Sequence, residues 1–203
     1  IRHFYFGARE AQSRFAGGTP ALHKSGTELP ALQIDYCQLI RFVLTHSLVK
    51  LSICNEVFGA EQTVESWRDL CGRMAAIGYQ GIELAPFTLT EDARQCDAKT
   101  RAEIKNAAAD HGLPITALHW LLVSPLNLHI NAIDATKRQE TVDFLRGLID
   151  FAGDIGADTM IFGSPKQRAV EDNVESAWKR AADSYSKVLS TLEERGVTLC
   201  MES

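Results

Sequence analysis

The chain has 203 residues, 45% of them hydrophobic and 23% charged, with a formal net charge of −5. A core of ordinary size is within reach, and wholesale disorder is excluded, because disordered chains are poor in apolar residues and rich in uncompensated charge. The acidic balance, with no run of Lys/Arg, argues against a general nucleic-acid binder, whose affinity rests on phosphate neutralisation. No apolar run reaches the ~18 residues of a membrane span; the stretch from Leu39 to Val49 comes nearest and is broken by Arg41, Thr45, His46 and Ser47. Five cysteines (Cys37, Cys54, Cys71, Cys96, Cys200) include no CxxC pair. They read as buried, reduced thiols of a cytoplasmic protein.

Residues 1–48 carry no clean period, and Gly17-Gly18-Thr19-Pro20 and Ser25-Gly26-Thr27 break any element that starts. They read as an irregular N-terminal extension outside the domain. The chain opens without Met and stops just after an apolar run, so both ends read as cut. From Val49 onward strands and helices alternate. Val49 to Cys54 reads as a strand with Asn55 and Glu56 at its exit. Thr63 caps a helix carrying Val64, Trp67, Leu70, Cys71, Met74 and Ile77, with Ser66 expected to be too short for a capping box. Gly81 to Ala85 is a strand stopped by Pro86. A second helix runs from about Ala98 to Asp110 with Ile104, Ala107 and Ala108 inward, and Pro114 to Leu118 is the next strand.

A longer excursion, residues 121–133, holds His129 and Asn131, read as surface polar groups. A third helix spans about Ala135 to Ile155 on Val142, Leu145, Leu148, Ile149 and Ala152. Thr159 to Phe162 is an apolar strand expected to be buried on both faces, handing over to Gly163-Ser164-Pro165-Lys166-Gln167-Arg168. A fourth helix is expected from Val174 to Glu194 on Trp178, Ala181, Tyr185, Val188, Leu189 and Leu192, before strand Val197 to Met201. Glu65, Glu91 and Asp92 read as helix-start charges.

Four times a helix ends in Gly and an apolar strand follows: Gly78/Ile82, Gly112/Ile115, Gly156/Thr159 and Gly196/Val197. That rhythm implies parallel βαβ units with right-handed crossovers. A doubly wound sheet fits the count, but a dinucleotide-binding one needs GxGxxG after its first strand, and Cys54-Asn55-Glu56-Val57-Phe58-Gly59 does not supply it. A (β/α)8 TIM barrel typically takes ~250 residues, so residues 49–203 would be its N-terminal part, truncated after about the fifth strand. The polar residues at strand exits (Asn55 and Glu56, Glu83, His119, Ser164 with Lys166 and Arg168, Glu202) would share one rim. A carboxylate beside an apolar strand, as Glu83 and Glu202 are, is costly without a metal, a cation or a substrate. Lys166 and Arg168 could hold an anion at the helix-facing turn. GxSxG, HExxH and P-loop patterns are missing.

Gly78-Tyr79-Gln80-Gly81-Ile82-Glu83-Leu84, Leu118-His119-Trp120, residues 156–165 and Leu199-Cys200-Met201-Glu202 together resemble the sugar phosphate isomerase/epimerase family, which has the xylose isomerase-like barrel. The resemblance runs from about residue 49 to the end and speaks for the superfamily, not the substrate. It implies Glu202 as a divalent-metal ligand and acid/base residue. It also implies that Glu83 and His119 line a pocket for a small sugar, to which the reading of the strand exits adds Ser164, Lys166 and Arg168 as substrate-binding residues. The implied cofactor is Mn2+, Mg2+ or Co2+, with its other ligands, an Asp, a His and a second Glu, on later strands. The implied chemistry is metal-assisted proton transfer through an enediolate, with a carboxylate on each face of the sugar. Such a fragment would be inactive alone. Neither nucleic acid nor membrane is an expected partner, and a homo-oligomer is left open. The rivals are a metal-dependent DNA-repair endonuclease on the same barrel, disfavoured by the −5 charge, and a non-catalytic sugar-binding relative.

Overall fold

The computed structural model describes residues 50–202. The reading of residues 1–48 as an extension, and of Val49 as the start of the first strand, lies outside the described residues. Five parallel strands form one sheet in chain order: β1 (Ser52–Cys54), β2 (Gly81–Leu84), β3 (Ile115–Leu118), β4 (Thr159–Phe162) and β5 (Thr198–Met201). Sequential parallel neighbours, each joined by a helical crossover, are the wall of a barrel rather than a doubly wound sheet, in which the strand order reverses. The helices are α1 (Val64–Ile77), α2 (Ala98–Ala109), α3 (Ala135–Ile155), α4 (Val174–Ser186) and α5 (Leu189–Arg195).

The alternation of side chains along each strand separates two faces. Ile82, Leu84, Leu118, Met160 and Phe162 are fully buried against the helices, where they meet Trp67, Leu70, Ile104, Phe144, Leu148 and Phe151. Trp67 satisfies its one donor inside this core by giving Nε1–H to the Ile104 carbonyl at 3.0 Å. Glu83, Thr159 and Ile161, by contrast, are only half-buried. β4 is therefore not buried on both sides as its composition suggests: its two faces alternate, and the inner one is partly open.

Other elements depart from the expectations in ways with a local cause. Ser66 does complete a capping box. The Thr63 hydroxyl accepts from the Ser66 amide at 3.1 Å, and the Ser66 hydroxyl accepts from the Thr63 amide at 2.9 Å, so one turn of helix suffices for the short side chain. The single fourth helix is two. The Ser184 hydroxyl bonds back to the Arg180 carbonyl at 2.9 Å and Ser186 to that of Asp183 at 2.7 Å, a competition with the ladder that bends and ends helices. α4 stops at Ser186, and α5 restarts after the buried Val188. Trp178, expected inward, is 76% exposed. Asp92 is not a plain helix-start charge either: it is buried, caps Arg94 and holds its guanidinium with both oxygens, and Arg94 in turn lies 5.2 Å above the Phe144 ring.

The excursion between β3 and α3 is a clamp. Ile130 gives its amide to the Gln167 carbonyl at 2.9 Å, Arg180 reaches the Asn131 carbonyl at 2.8 Å, and Ser184 reaches that of Ile130 at 2.9 Å. His129 and Asn131 are consequently buried, not surface groups as their loop position suggests. Burial holds the His129 imidazole below its ordinary pKa. Of the described cysteines none is in a disulfide, and only Cys71 is buried; Cys54 and Cys96 are half-buried and Cys200 is exposed. No described helix is long and apolar enough to cross a membrane.

Candidate functional site

Register decides which polar side chains meet. Cys54 on β1 pairs with Glu83 on β2, so both project to the same face. Between β2 and β3 the register slips: Ile82 faces Ile115, but Glu83 faces Ala117, leaving Thr116 as the extra residue of a bulge. The slip puts Ala117, and two residues on His119, on the face of Glu83. The His119 amide continues the ladder to the Leu84 carbonyl at 3.0 Å, which fixes the backbone where the strand ends. Ligand atoms of Cys54, Glu83 and His119 thereby lie within 4.8 Å of one another.

His119 Nδ1 stands 3.5 Å from Glu83 Oε2, an ion-pair distance but long for a hydrogen bond, and Nδ1 has no other polar partner. Glu83 raises the His119 pKa above its ordinary value against the opposing effect of burial, and Glu56 and Glu202 add to the rise. Burial, reinforced by the carboxylates of Glu56 and Glu83, pushes the Cys54 thiol far up. Trp120 follows at φ 56°, a left-handed backbone that a bulky aromatic adopts only when its surroundings hold it. Its Nε1–H donates to Glu56 Oε1 at 3.2 Å, and its ring lies 6.1 Å from that of His119 at an interplanar angle of 29°.

Asn55, expected on the rim with Glu56, is instead a fully buried knot. Its amide nitrogen donates to Gln62 at 3.0 Å and to Thr88 at 2.7 Å, while its oxygen accepts from the Ala85 amide at 2.8 Å. It ties the end of β1 to the end of β2 and holds Cys54 and Glu83 side by side.

Glu202 reaches the same face from β5. Ile161 pairs with Cys200, and the Glu202 amide donates to the Phe162 carbonyl at 3.0 Å, so Glu202 lies two residues beyond Cys200 on the inner side. Its carboxylate occupies the space above Gly163: a β-carbon added there would fall 1.8 Å from Glu202 Oε2. The glycine that ends β4 is thus also the cradle of a carboxylate. Arg168 donates to the Glu202 main-chain carbonyl at 2.7 Å, which spends that cation on holding the end of β5. Lys166 is exposed on the short turn Lys166–Arg168, and Ser164 is buried with its hydroxyl unpartnered. Among the described residues neither is bonded to Glu83, His119 or Glu202. The structure therefore gathers Glu83, His119 and Glu202 with Glu56, which the sequence reading had set on the same rim, and adds Cys54 and Trp120, which it had not. The signal for Cys54 was its position as the last residue of β1, masked by its apolar neighbours.

The family model for a xylose isomerase-like TIM barrel matches residues 71–203. The chain belongs to that family. Among solved structures it is similar to D-psicose 3-epimerase determined with D-fructose, at TM-score 0.60 and 15% identity, covering 75% of this chain and 52% of that one. It is also similar to L-ribulose 3-epimerase, at TM-score 0.58 and 24% identity, covering 75% and 48%. A third is 3-keto-D-glucoside 4-epimerase from E. coli, at TM-score 0.55 and 15% identity, covering 75% and 55%. The chain thus spans about half the length of these structures, and the likeness shows the fold. No curated protein matches the chain.

Proposed function

We propose that the whole protein is a sugar isomerase or epimerase in which Glu202 moves a proton at the carbon beside the sugar carbonyl. The observation that carries this reading is the convergence of Glu83, His119 and Glu202 on the inner face, at the carboxyl ends of three strands of a barrel whose solved likenesses are sugar epimerases. In this fold the carboxyl ends of the strands carry the chemistry.

The carboxylate of Glu202, seated above Gly163 with no side chain beneath it, suits one ligand position of a divalent cation. Such a cation, when bound, would supply charge stabilisation at neighbouring sugar oxygens. The chain's own groups do the rest. Glu202 accepts the proton from carbon, a role an exposed carboxylate at a strand end can fill. His119, its ring set against Glu83 through Nδ1, offers an N–H from its other nitrogen to a sugar oxygen on which negative charge develops. Trp120, 40% exposed beside it, gives the sugar's apolar face a surface to lie on.

The test is exchange chemistry on the full-length protein. In heavy water with Mn2+, ketoses should gain deuterium at the carbon next to the carbonyl, read by NMR. Glu202→Gln should abolish the exchange with the fold intact, while Glu83→Gln should raise the Michaelis constant more than it lowers turnover. Exchange that survives Glu202→Gln at full rate would overturn the assignment.

A further inference from the structure

Cys54, Glu83 and His119 present a different donor set from the oxygen-rich one that Mn2+ or Mg2+ prefers. A thiol, an imidazole and a carboxylate converge from three consecutive strands, with their ligand atoms within 4.8 Å. Around a tetrahedral ion with bonds of about 2.1 Å the donors stand about 3.4 Å apart. Side-chain rotation alone can close the difference, because the backbones are already locked by the β1–β2 register and by the Asn55 knot.

Two further observations point to a cation. His119 Nδ1 is buried with only the Glu83 carboxylate beside it, at 3.5 Å and too far for a good hydrogen bond, and Glu56 Oε2 close by is buried without a hydrogen bond. Buried polar atoms are almost always fully satisfied, and two under-satisfied ones in one place point to a missing partner. The charges felt by Cys54 are all acidic, from Glu56 and Glu83, and those felt by His119 are acidic too, from Glu83, Glu56 and Glu202. The carboxylates of Glu83 and Glu56 beside the thiol and the imidazole make this a place that favours a cation.

We propose that Cys54, Glu83 and His119 form a second metal centre, three protein ligands with an open fourth position, for a thiophilic divalent cation of the zinc class. Sulfur and nitrogen ligands favour Zn2+ and Co2+ over Mg2+ and Mn2+. Three protein ligands with one position left for water or substrate is the pattern of catalytic zinc. On binding, the Cys54 thiol proton and any proton on His119 Nδ1 pass to solvent, and the metal takes their place. The ion would sit where Glu83 and His119 meet the sugar, so that a substrate oxygen can complete its coordination. The assignment stands on the cluster's geometry and does not depend on Glu202 or on the reaction proposed above.

Cobalt titration of the metal-free full-length protein tests it, since Co2+ bound to a thiolate gives a charge-transfer band in the near ultraviolet. One equivalent should raise the band, Zn2+ should displace it, and excess Mg2+ should not. Cys54→Ser should lose the band, while Cys200→Ser and Glu202→Gln should keep it. Absence of the band in the native protein, or its survival in Cys54→Ser, overturns the site. If Cys54→Ser does not fold, alkylation of the native protein decides: Zn2+ should protect the peptide carrying Cys54, and equal labelling with and without Zn2+ overturns the proposal. Ketose exchange measured in parallel reports on the reaction separately, so either assignment can fail without the other.

Discussion

Burial and acidic neighbours pull His119 in opposite directions, and the neighbours win. A raised pKa means that the folded state holds the proton more tightly than the unfolded chain does. The resulting stabilisation is full below the ordinary histidine value of about 6.5 and disappears as pH rises through the raised value. In chelator-treated protein the His119 ring resonances should therefore titrate above about 6.5. Glu83→Gln should bring that midpoint down and remove the pH-dependent part of the stability; an unchanged midpoint would show that Glu83 is not the cause. Gly163 makes a second prediction at this scale. Gly163→Ala puts a methyl group where the Glu202 carboxylate sits, so turnover of the full-length enzyme should fall nearly as far as in Glu202→Gln, with little change in melting temperature. Normal turnover would mean that the carboxylate works from another position. Glu83, His119 and Glu202 were legible in the sequence because a charge next to an apolar strand is conspicuous. Cys54 was not, because a thiol among apolar residues looks like core until its register partner is known.

The elements follow from caps and breaks that a sequence shows unevenly. Gly78, Gly156 and Gly196 end their helices in the left-handed conformation, at φ 111°, 85° and 63°, and Gly112, at φ 65°, follows the Asp110 cap of α2, which together made the four-fold rhythm readable. The split between α4 and α5 was not readable, because it depends on where two serine hydroxyls turn. Nor was the burial of His129 and Asn131, which depends on α4 and the β4 exit closing over them. The capping box of α1 is testable: Thr63→Ala should cost about 1 kcal/mol, measured by denaturant unfolding. Asn55→Ala should cost more, about 2–3 kcal/mol, because it leaves the buried Ala85 amide without its acceptor. It should also disturb the site, since Asn55 holds the ends of β1 and β2 together. A loss smaller than that of Thr63→Ala would mean that water replaces the amide and that the knot is not what aligns Cys54 with Glu83.

At the scale of the molecule, parallel strands in chain order and helices over one face were legible from periodicity alone, because each βα unit carries its own pattern. What covers the outer end of β5 was not. Val174 (71% exposed), Trp178 (76%), Val170 (50%) and Met201 (54%) flank a groove of about 420 Å³ that also touches Ile130, Ala181 and the half-buried ring of Tyr185, and among the described residues nothing fills it. Burial pushes the Tyr185 hydroxyl far above its ordinary pKa, and that hydroxyl has no hydrogen-bond partner among the described residues, so the floor of the groove is largely apolar. An exposed patch of this kind binds other apolar surfaces, and beside it β5 is the last strand of the described sheet, with no described strand paired beyond it. The chain of 203 residues, purified by itself, should therefore bind a hydrophobic dye and self-associate as its concentration rises. Trp178→Glu should reduce both without lowering the melting temperature, since a side chain so exposed contributes little to the core. A strictly monomeric chain that binds no dye, or a large loss of stability in Trp178→Glu, would show that this face is already covered.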